Sequence, residues 1–200
     1  MTVHSFRFRV SSLQLMLDLK QIDNSWTLFL DRDGVINHEK ENDYIYHYGE
    51  FNFYEGVPEA IQYLSTRFAK IIIITNQRGV GREFMTEDDL ISIHDQMLAD
   101  IEAAGGRVQK IYYCVANDDA HPNRKPNPGM AREALKDFPE IDLSKSIMVG
   151  NNLSDMKFGR NAGMYTVFVK TTDPNQDIPH PSIDLAFRDL PGFAKALQDT

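Results

Sequence analysis

Leu28-Phe29-Leu30-Asp31-Arg32-Asp33-Gly34-Val35-Ile36-Asn37 carries the reading of the whole chain. An apolar run long enough for one buried strand stops at two carboxylates separated by a single residue, and a glycine then lets the chain turn away. In an open α/β sheet, ligands bind beyond the carboxyl ends of the strands. Asp31 and Asp33 would both project there, and two such charges repel unless a cation or a shared proton compensates. A divalent-metal site with a carboxylate nucleophile accounts for the pair. Alone, Asp-x-Asp-Gly is as readily an ordinary turn. It also opens like a calcium loop, without the later acidic ligands such a loop needs.

Outward from this segment, short β-rich runs alternate with amphipathic helical ones, the pattern of a parallel sheet covered on both faces. Strands are expected at residues 27–30, 69–75, 108–115, 146–149 and 165–169, with an edge strand at 183–187. Ile71-Ile72-Ile73-Ile74 is the continuous β-branched run of a strand buried on both faces. Helices are expected from Pro58, after a capping Thr86, and over 128–138, 155–161 and 191–197. In the helix after Thr86, Leu90, Ile93, Met97, Leu98 and Ile101 form the apolar stripe, and His94 is assigned to the polar side. The aromatic-rich stretch between Asn37 and Glu55 reads as a flap or hairpin over the first strand, too small for a separate cap domain. The fold class is thus a doubly wound, Rossmann-like α/β sheet.

The 200 residues, with a formal net charge of −8 and 42% hydrophobic content, fit one globular domain with a full core. Residues 26–200 form that domain and residues 1–25 an N-terminal extension. Residues 6–10 alternate like a short strand, and residues 1–15 read as a misassigned start or a frayed extension. The acidic balance argues against nucleic acid as a partner. A single cysteine, Cys114, excludes an internal disulfide and suits a reducing compartment. No apolar run approaches the roughly 20 residues that span a bilayer. A cytoplasmic protein with no membrane partner is expected, and nothing in the chain fixes an oligomeric state.

Four strand ends carry polar residues suited to one reaction. Asp31 and Asp33 end the first; Thr75-Asn76-Gln77 ends the second, placing a hydroxyl and two amides where an anion could sit. Arg124-Lys125-Pro126 supplies two cations after the third, and Gly150-Asn151-Asn152-Leu153-Ser154-Asp155 follows the fourth. A carboxylate nucleophile, carboxylates for a metal, and a hydroxyl and cations for a phosphate are the parts of phosphoryl transfer. Gly79-Val80-Gly81 lacks the third glycine of a dinucleotide fingerprint, and no helix is expected to start at it.

The ordered set Asp31-x-Asp33-Gly-Val-Ile-Asn, Thr75-Asn-Gln, Gly79-Val-Gly-Arg, Arg124-Lys125-Pro-x-Pro-Gly and Val149-Gly-x-x-x-Ser-Asp155 resembles the haloacid dehalogenase superfamily. Within it, the set resembles the small-cap branch holding the D,D-heptose 1,7-bisphosphate and histidinol-phosphate phosphatases. The resemblance implies a Mg²⁺-dependent phosphomonoesterase acting on a small phosphorylated metabolite, with a sugar phosphate first and histidinol phosphate second. It implies Asp31 as nucleophile, Asp33 as proton carrier and Lys125 as the neutralising cation. Thr75 and Asn76 would bind the phosphoryl group, with Arg124 and Arg82 reaching substrate. Mg²⁺ would sit among Asp31, the Asp33 carbonyl, Asn151 and Asp155.

Two departures stand out. The family usually has Asp at the position of Asn151, which removes a full charge from the metal site. That loss motivates a second reading, a catalytically impaired phospho-ligand-binding relative; a dehalogenase, with no alcohol to protonate, leaves Asp33 without a task. Close relatives also carry a Cys-x-His and Cys-x-Cys zinc loop, where this chain keeps Cys114, with Ala116, His121 and Asn123 at the other places. Two ligands do not make a structural Zn²⁺ site.

Overall fold

The computed structural model describes residues 17–200. The strand-like alternation at residues 6–10 and the expected extension at 1–15 lie outside the described residues. Six parallel strands, β1 (Thr27–Leu30), β2 (Lys70–Asn76), β3 (Lys110–Cys114), β4 (Ser146–Gly150), β5 (Tyr165–Val169) and β6 (Leu185–Phe187), form one sheet in the order β3-β2-β1-β4-β5-β6. The chain winds outward from β1 through β2 to β3, then restarts on the other side of β1 at β4. The topological switch point, where a crevice opens beyond the strand ends, therefore lies between β1 and β4.

Strand alternation divides the core in two. Leu28, Leu30, Ile71, Ile73, Ile147 and Val149 face one side, while Phe29, Ile72, Ile74 and Met148 face the other. The first face is covered by α1 (Val57–Arg67), α3 (Glu87–Ala103) and α6 (Leu190–Gln198), and the second by α4 (Gly129–Asp137) and α5 (Leu153–Ala162). Because both faces of β1 and β4 are buried, apolar residues occupy consecutive positions, which is why these strands read as unbroken runs. Leu17 and Ile22 are buried in the first core, and a 3-10 turn at Leu19–Gln21 packs against α6.

The flap is a loop tied at its base. Asn37 bridges Phe53 antiparallel, the His38 N–H donates to the Asn52 carbonyl (2.9 Å), and the Tyr54 N–H donates to the Ile36 carbonyl (3.0 Å). Ile45 and Phe51 are buried, and Tyr46, Tyr48, Phe53 and Tyr54 pack on the core, so most of its aromatics hold the loop down.

Two local expectations are corrected. No helix is expected from the sequence at Gly79-Val80-Gly81, yet the motif lies within a one-turn helix, α2 (Arg78–Gly81), with irregular backbone from Arg82 to Thr86 after it. His94 is not on the polar side of α3: it is 4% exposed. It stands four residues after Leu90 and three before Met97, so helical geometry carries it into the apolar stripe.

Candidate active site

Asp31 leaves the end of β1 with its backbone still paired, its N–H donating to the Val149 carbonyl (3.0 Å). The Arg32 carbonyl accepts from the N–H groups of Val35, Ile36 and Asn37 at 2.8–3.3 Å, closing a tight turn. Gly34 sits in that turn at φ +81°, where a Cβ would lie 2.1 Å from Asn151 Nδ2. Only glycine allows the loop after the aspartates to lie this close to the loop after β4.

The Asp31 carboxylate is held by one oxygen. Oδ1 accepts from Lys125 Nζ (2.8 Å) and the Arg32 N–H (2.7 Å), so Oδ2 is the atom these bonds leave to react. Lys125 Nζ also donates to Asp155 Oδ1 (2.7 Å) and the Ile74 carbonyl (3.0 Å), which uses its three donors. Burial and then the Asp155 charge outweigh the Lys125 ammonium and push Asp31 up to about 7. Burial works against the Lys125 charge, but Asp155 and Asp31 raise it above the ordinary lysine value, so the ammonium is kept. The second oxygen of Asp155 accepts the Asn152 N–H (3.0 Å) and caps α5.

Asp33 is 27% exposed at its side chain and bonded at both oxygens. Oδ1 accepts from Arg32 Nη2 (2.8 Å), Arg32 Nε (3.3 Å) and Asn37 Nδ2 (3.0 Å); Oδ2 accepts from Gln77 Nε2 (2.7 Å). Burial opposes ionisation, yet the Arg32 guanidinium and the Asn37 and Gln77 amides together hold the carboxyl below the usual carboxylate range. Gln77 Nε2 donates in addition to Thr75 Oγ1 (2.9 Å), which leaves the Thr75 hydroxyl hydrogen for another acceptor.

A cavity of ≈ 250 Å³ brings together Asp31, Asp33, Thr75, Asn76, Arg124, Lys125, Asn151 and Asp155, with Glu39 at its rim. A neighbouring ≈ 180 Å³ pocket shares Asp33, Glu39 and Asn76 and extends to Lys40 and Tyr44 of the flap. The Asn76 side chain is engaged with the Lys125 backbone (3.1 and 3.3 Å), fixing the residue that carries the ammonium. Arg124 is braced by Asp119 (2.9 Å) and the Ala116 carbonyl (3.2 Å). Arg82 is exposed and outside both pockets, and its guanidinium donates to the Tyr44 hydroxyl (3.0 Å). Cys114 Sγ lies 3.6 Å from His121 Nδ1, which accepts the Asn123 N–H.

The donor set fits a hard cation. Asp31 and Asp155 share one ammonium, and with Asp31 pushed up to about 7 a further cation is needed to keep both carboxylates ionised. Asn151 Oδ1 is buried without a hydrogen-bond partner, while its Nδ2 donates to Thr172 Oγ1 (2.8 Å). An amide oxygen with free lone pairs beside an under-neutralised carboxylate suits a divalent metal that takes oxygen ligands. Among the described residues no three His, Cys, Asp or Glu side chains gather into a metal-holding group. A metal here would therefore draw on amide and backbone oxygens as well as Asp31.

Sequence reading missed Arg32, Asn37 and His94, and it aimed Gln77 at an anion rather than at Asp33. The helical position of His94 was the available signal. Nothing along the chain singles out Arg32, and only the fold shows that it is buried (1% exposed).

A parallel sheet whose central strand delivers a lysine-held aspartate beside a second, hydrogen-bonded aspartate, with a threonine hydroxyl on the adjacent strand, defines a phosphatase of the α/β class. The comparisons with known proteins are specific. The family described as polynucleotide kinase 3 phosphatase matches residues 21–170. A D-glycero-alpha-D-manno-heptose-1,7-bisphosphate 7-phosphatase of Campylobacter jejuni is 38% identical over 142 residues, 71% of this chain and 80% of the relative. The D-glycero-beta-D-manno-heptose-1,7-bisphosphate 7-phosphatase of Photorhabdus laumondii is 31% identical over 180 residues, 86% of this chain and 94% of its own. The crystal structure of D,D-heptose 1,7-bisphosphate phosphatase from B. bronchiseptica, complexed with magnesium and phosphate, superposes with a TM-score of 0.78 at 28% identity, covering 87% of this chain and 98% of that one. The chain belongs to the haloacid dehalogenase superfamily, in its D,D-heptose 1,7-bisphosphate phosphatase branch.

Proposed function

We propose that the protein is a Mg²⁺-dependent phosphomonoesterase that removes the 7-phosphate of D-glycero-D-manno-heptose 1,7-bisphosphate through an aspartyl-phosphate on Asp31. The observation that carries this reading is the division of labour between two carboxylates. Asp31 is pinned through Oδ1 with Oδ2 left to attack, and Asp33 has Oδ1 saturated by three donors with Oδ2 on one.

Oδ2 of Asp31 attacks phosphorus, and the bond from phosphorus to the sugar oxygen breaks. Asp33 Oδ2 gives its proton to that oxygen, so an alcohol leaves rather than an alkoxide. Its donors keep Asp33 ionised at rest, and the negative charge of a bound phosphoester favours the protonated form. Asp33 then takes a proton from a water that attacks the phosphorus on Asp31, releasing phosphate and restoring the carboxylate. Thr75 donates its hydroxyl to the transferring phosphoryl group, and Lys125 offsets charge on Asp31. The Asp31 carboxylate, the Asp33 carbonyl and Asn151 Oδ1 would hold Mg²⁺, with Asp155 holding Lys125 in place. The metal masks phosphate charge so that an anionic nucleophile can approach. The flap pocket with Lys40 and Tyr44 suits the leaving sugar, and Arg124 a distal phosphate.

Similarity to heptose bisphosphate phosphatases over most of the chain supports this substrate. Among the described residues no helix is long and apolar enough to cross a membrane. Asn151 favours a second reading, a phospho-ligand binder with little turnover. Phosphate release from the heptose bisphosphate and from histidinol phosphate, with saturating Mg²⁺ and Asp31→Asn as the control, separates them. Turnover of the heptose ester that vanishes in Asp31→Asn is expected. No release from either ester, with ligand-induced thermal stabilisation alone, would overturn the enzyme reading.

A further inference from the structure

The loop after β1 is pinned through its backbone, because three N–H groups converge on the Arg32 carbonyl. That leaves the Arg32 side chain as the part needing its own support. Its guanidinium is 1% exposed and donates through Nε and Nη2 to Asp33 Oδ1. The remaining nitrogen, Nη1, lies 3.1 Å from Nε2 of His94, which is 62 residues away in sequence, on α3. Arginine has no acceptor, so Arg32 donates and the imidazole accepts.

His94 is suited to accept. Around it stand the Arg32 guanidinium, the Asp33 carboxylate and the Tyr113 ring, whose centroid is 5.7 Å away. The Tyr113 hydroxyl is turned away to Glu87 Oε1 (2.7 Å). Burial and the Arg32 charge both disfavour a protonated imidazole, so the ring stays neutral and keeps a lone pair for Arg32. A buried guanidinium with one arm unpartnered would swing or admit water, and Asp33 would move with it.

We propose that His94 is a positioning residue for proton transfer: by accepting from Arg32 Nη1 it locks the guanidinium that orients Asp33, so that Oδ2 faces the leaving oxygen. This rests on the proposed role of Asp33 as proton carrier. A residue that served core packing alone would, when replaced, affect every substrate alike. Misplacing the Asp33 carboxyl slows the departure step only for leaving groups that need a proton, while the later hydrolysis of the aspartyl-phosphate is common to all substrates.

The test compares kcat/KM, which reports the step in which the leaving group departs, for two esters. p-Nitrophenyl phosphate releases a stable phenolate, whereas the 7-phosphate of the heptose bisphosphate must leave as an alcohol. For His94→Leu, kcat/KM on the heptose ester is expected to fall about 10- to 100-fold, part of the ~10²–10⁴ that general acid catalysis supplies, with at most a threefold fall on the aryl ester. His94→Gln, which keeps an acceptor near the same place, is expected to recover most of the loss. If His94→Leu does not fold, His94→Asn, polar but too short to reach Nη1, takes its place. Equal losses on both esters, or no loss on either, would overturn the proposal. Absence of wild-type turnover on both esters would overturn the phosphatase reading and this inference together, and is distinguishable from the equal-loss result.

Discussion

Gln77 Nε2 lies 2.7 Å from Asp33 Oδ2, the oxygen that the Arg32 guanidinium leaves alone. The same nitrogen reaches Thr75 Oγ1, so one buried amide sets both the proton carrier and the phosphate-facing hydroxyl. Gln77→Leu removes both bonds while keeping the volume. We expect kcat to fall roughly tenfold or more, within the range of a misaligned general acid. Losing a donor also raises the Asp33 carboxyl toward its ordinary value. Steady-state kinetics with the heptose ester reads the first effect, and a carboxyl titration of Asp33 by NMR reads the second.

Lys125 sits between two carboxylates in a closed site, 4% exposed. Lys125→Met leaves Asp31 and Asp155 facing each other without a cation, and breaking such a pair from one side costs about 3–5 kcal/mol. Without added metal, urea denaturation should show a loss of that size, and turnover should vanish even at saturating Mg²⁺. Unchanged stability would mean that the lysine is not the charge that holds the site together.

Asn151→Asp adds a carboxylate where Oδ1 now has no partner. Cation sites of this kind are tuned by ligand charge, so the Mg²⁺ concentration for half-maximal activity should drop roughly tenfold. The melting temperature should fall without metal, because a third carboxylate then lies near Asp31 and Asp155, and it should rise with metal. A Mg²⁺ titration and thermal unfolding with and without the ion read both signs.

His94 has its pKa pushed down to about 3 by burial and by Arg32, against an ordinary value of 6.5. Below 6.5 the unfolded chain takes up a proton that the folded protein refuses, so this group's contribution is fully present above 6.5 and is lost as the pH falls toward 3. The slope is about 1.4 kcal/mol per pH unit for one proton. His94→Gln should reduce the slope of unfolding free energy between pH 6.5 and 4.5 by that amount, read from urea denaturation at stepped pH. An unchanged slope would show that the imidazole is not held neutral.

Much of this protein is legible from residues 26–169. The tetra-isoleucine run, the strand-ending aspartates and the capped helix after Thr86 are local signals, and the elements form within a few residues of where periodicity puts them. Asp31, Asp33, Thr75 and Lys125 announce themselves because chemistry demands those residue types at strand ends, Asn151 stands out as an amide where a carboxylate is usual, and all five line one cavity. Arg82 carried no comparable constraint: an arginine past a glycine turn can point anywhere, and this one lines neither pocket, bonding the hydroxyl of Tyr44 in the wall of the second.

The sequence by itself therefore determined the parallel sheet, its polar strand ends and the family, since burial pattern and residue chemistry are written along the chain. Tertiary structure alone decided which oxygen of each aspartate is free, that Asn76 fastens Lys125, and that Arg32 and His94 meet across 62 residues in a buried hydrogen bond. The reason is physical. Periodicity tells whether a side chain faces inward, but the partner of a buried polar atom depends on packing between elements far apart in sequence, and the need to satisfy that atom has no local signature.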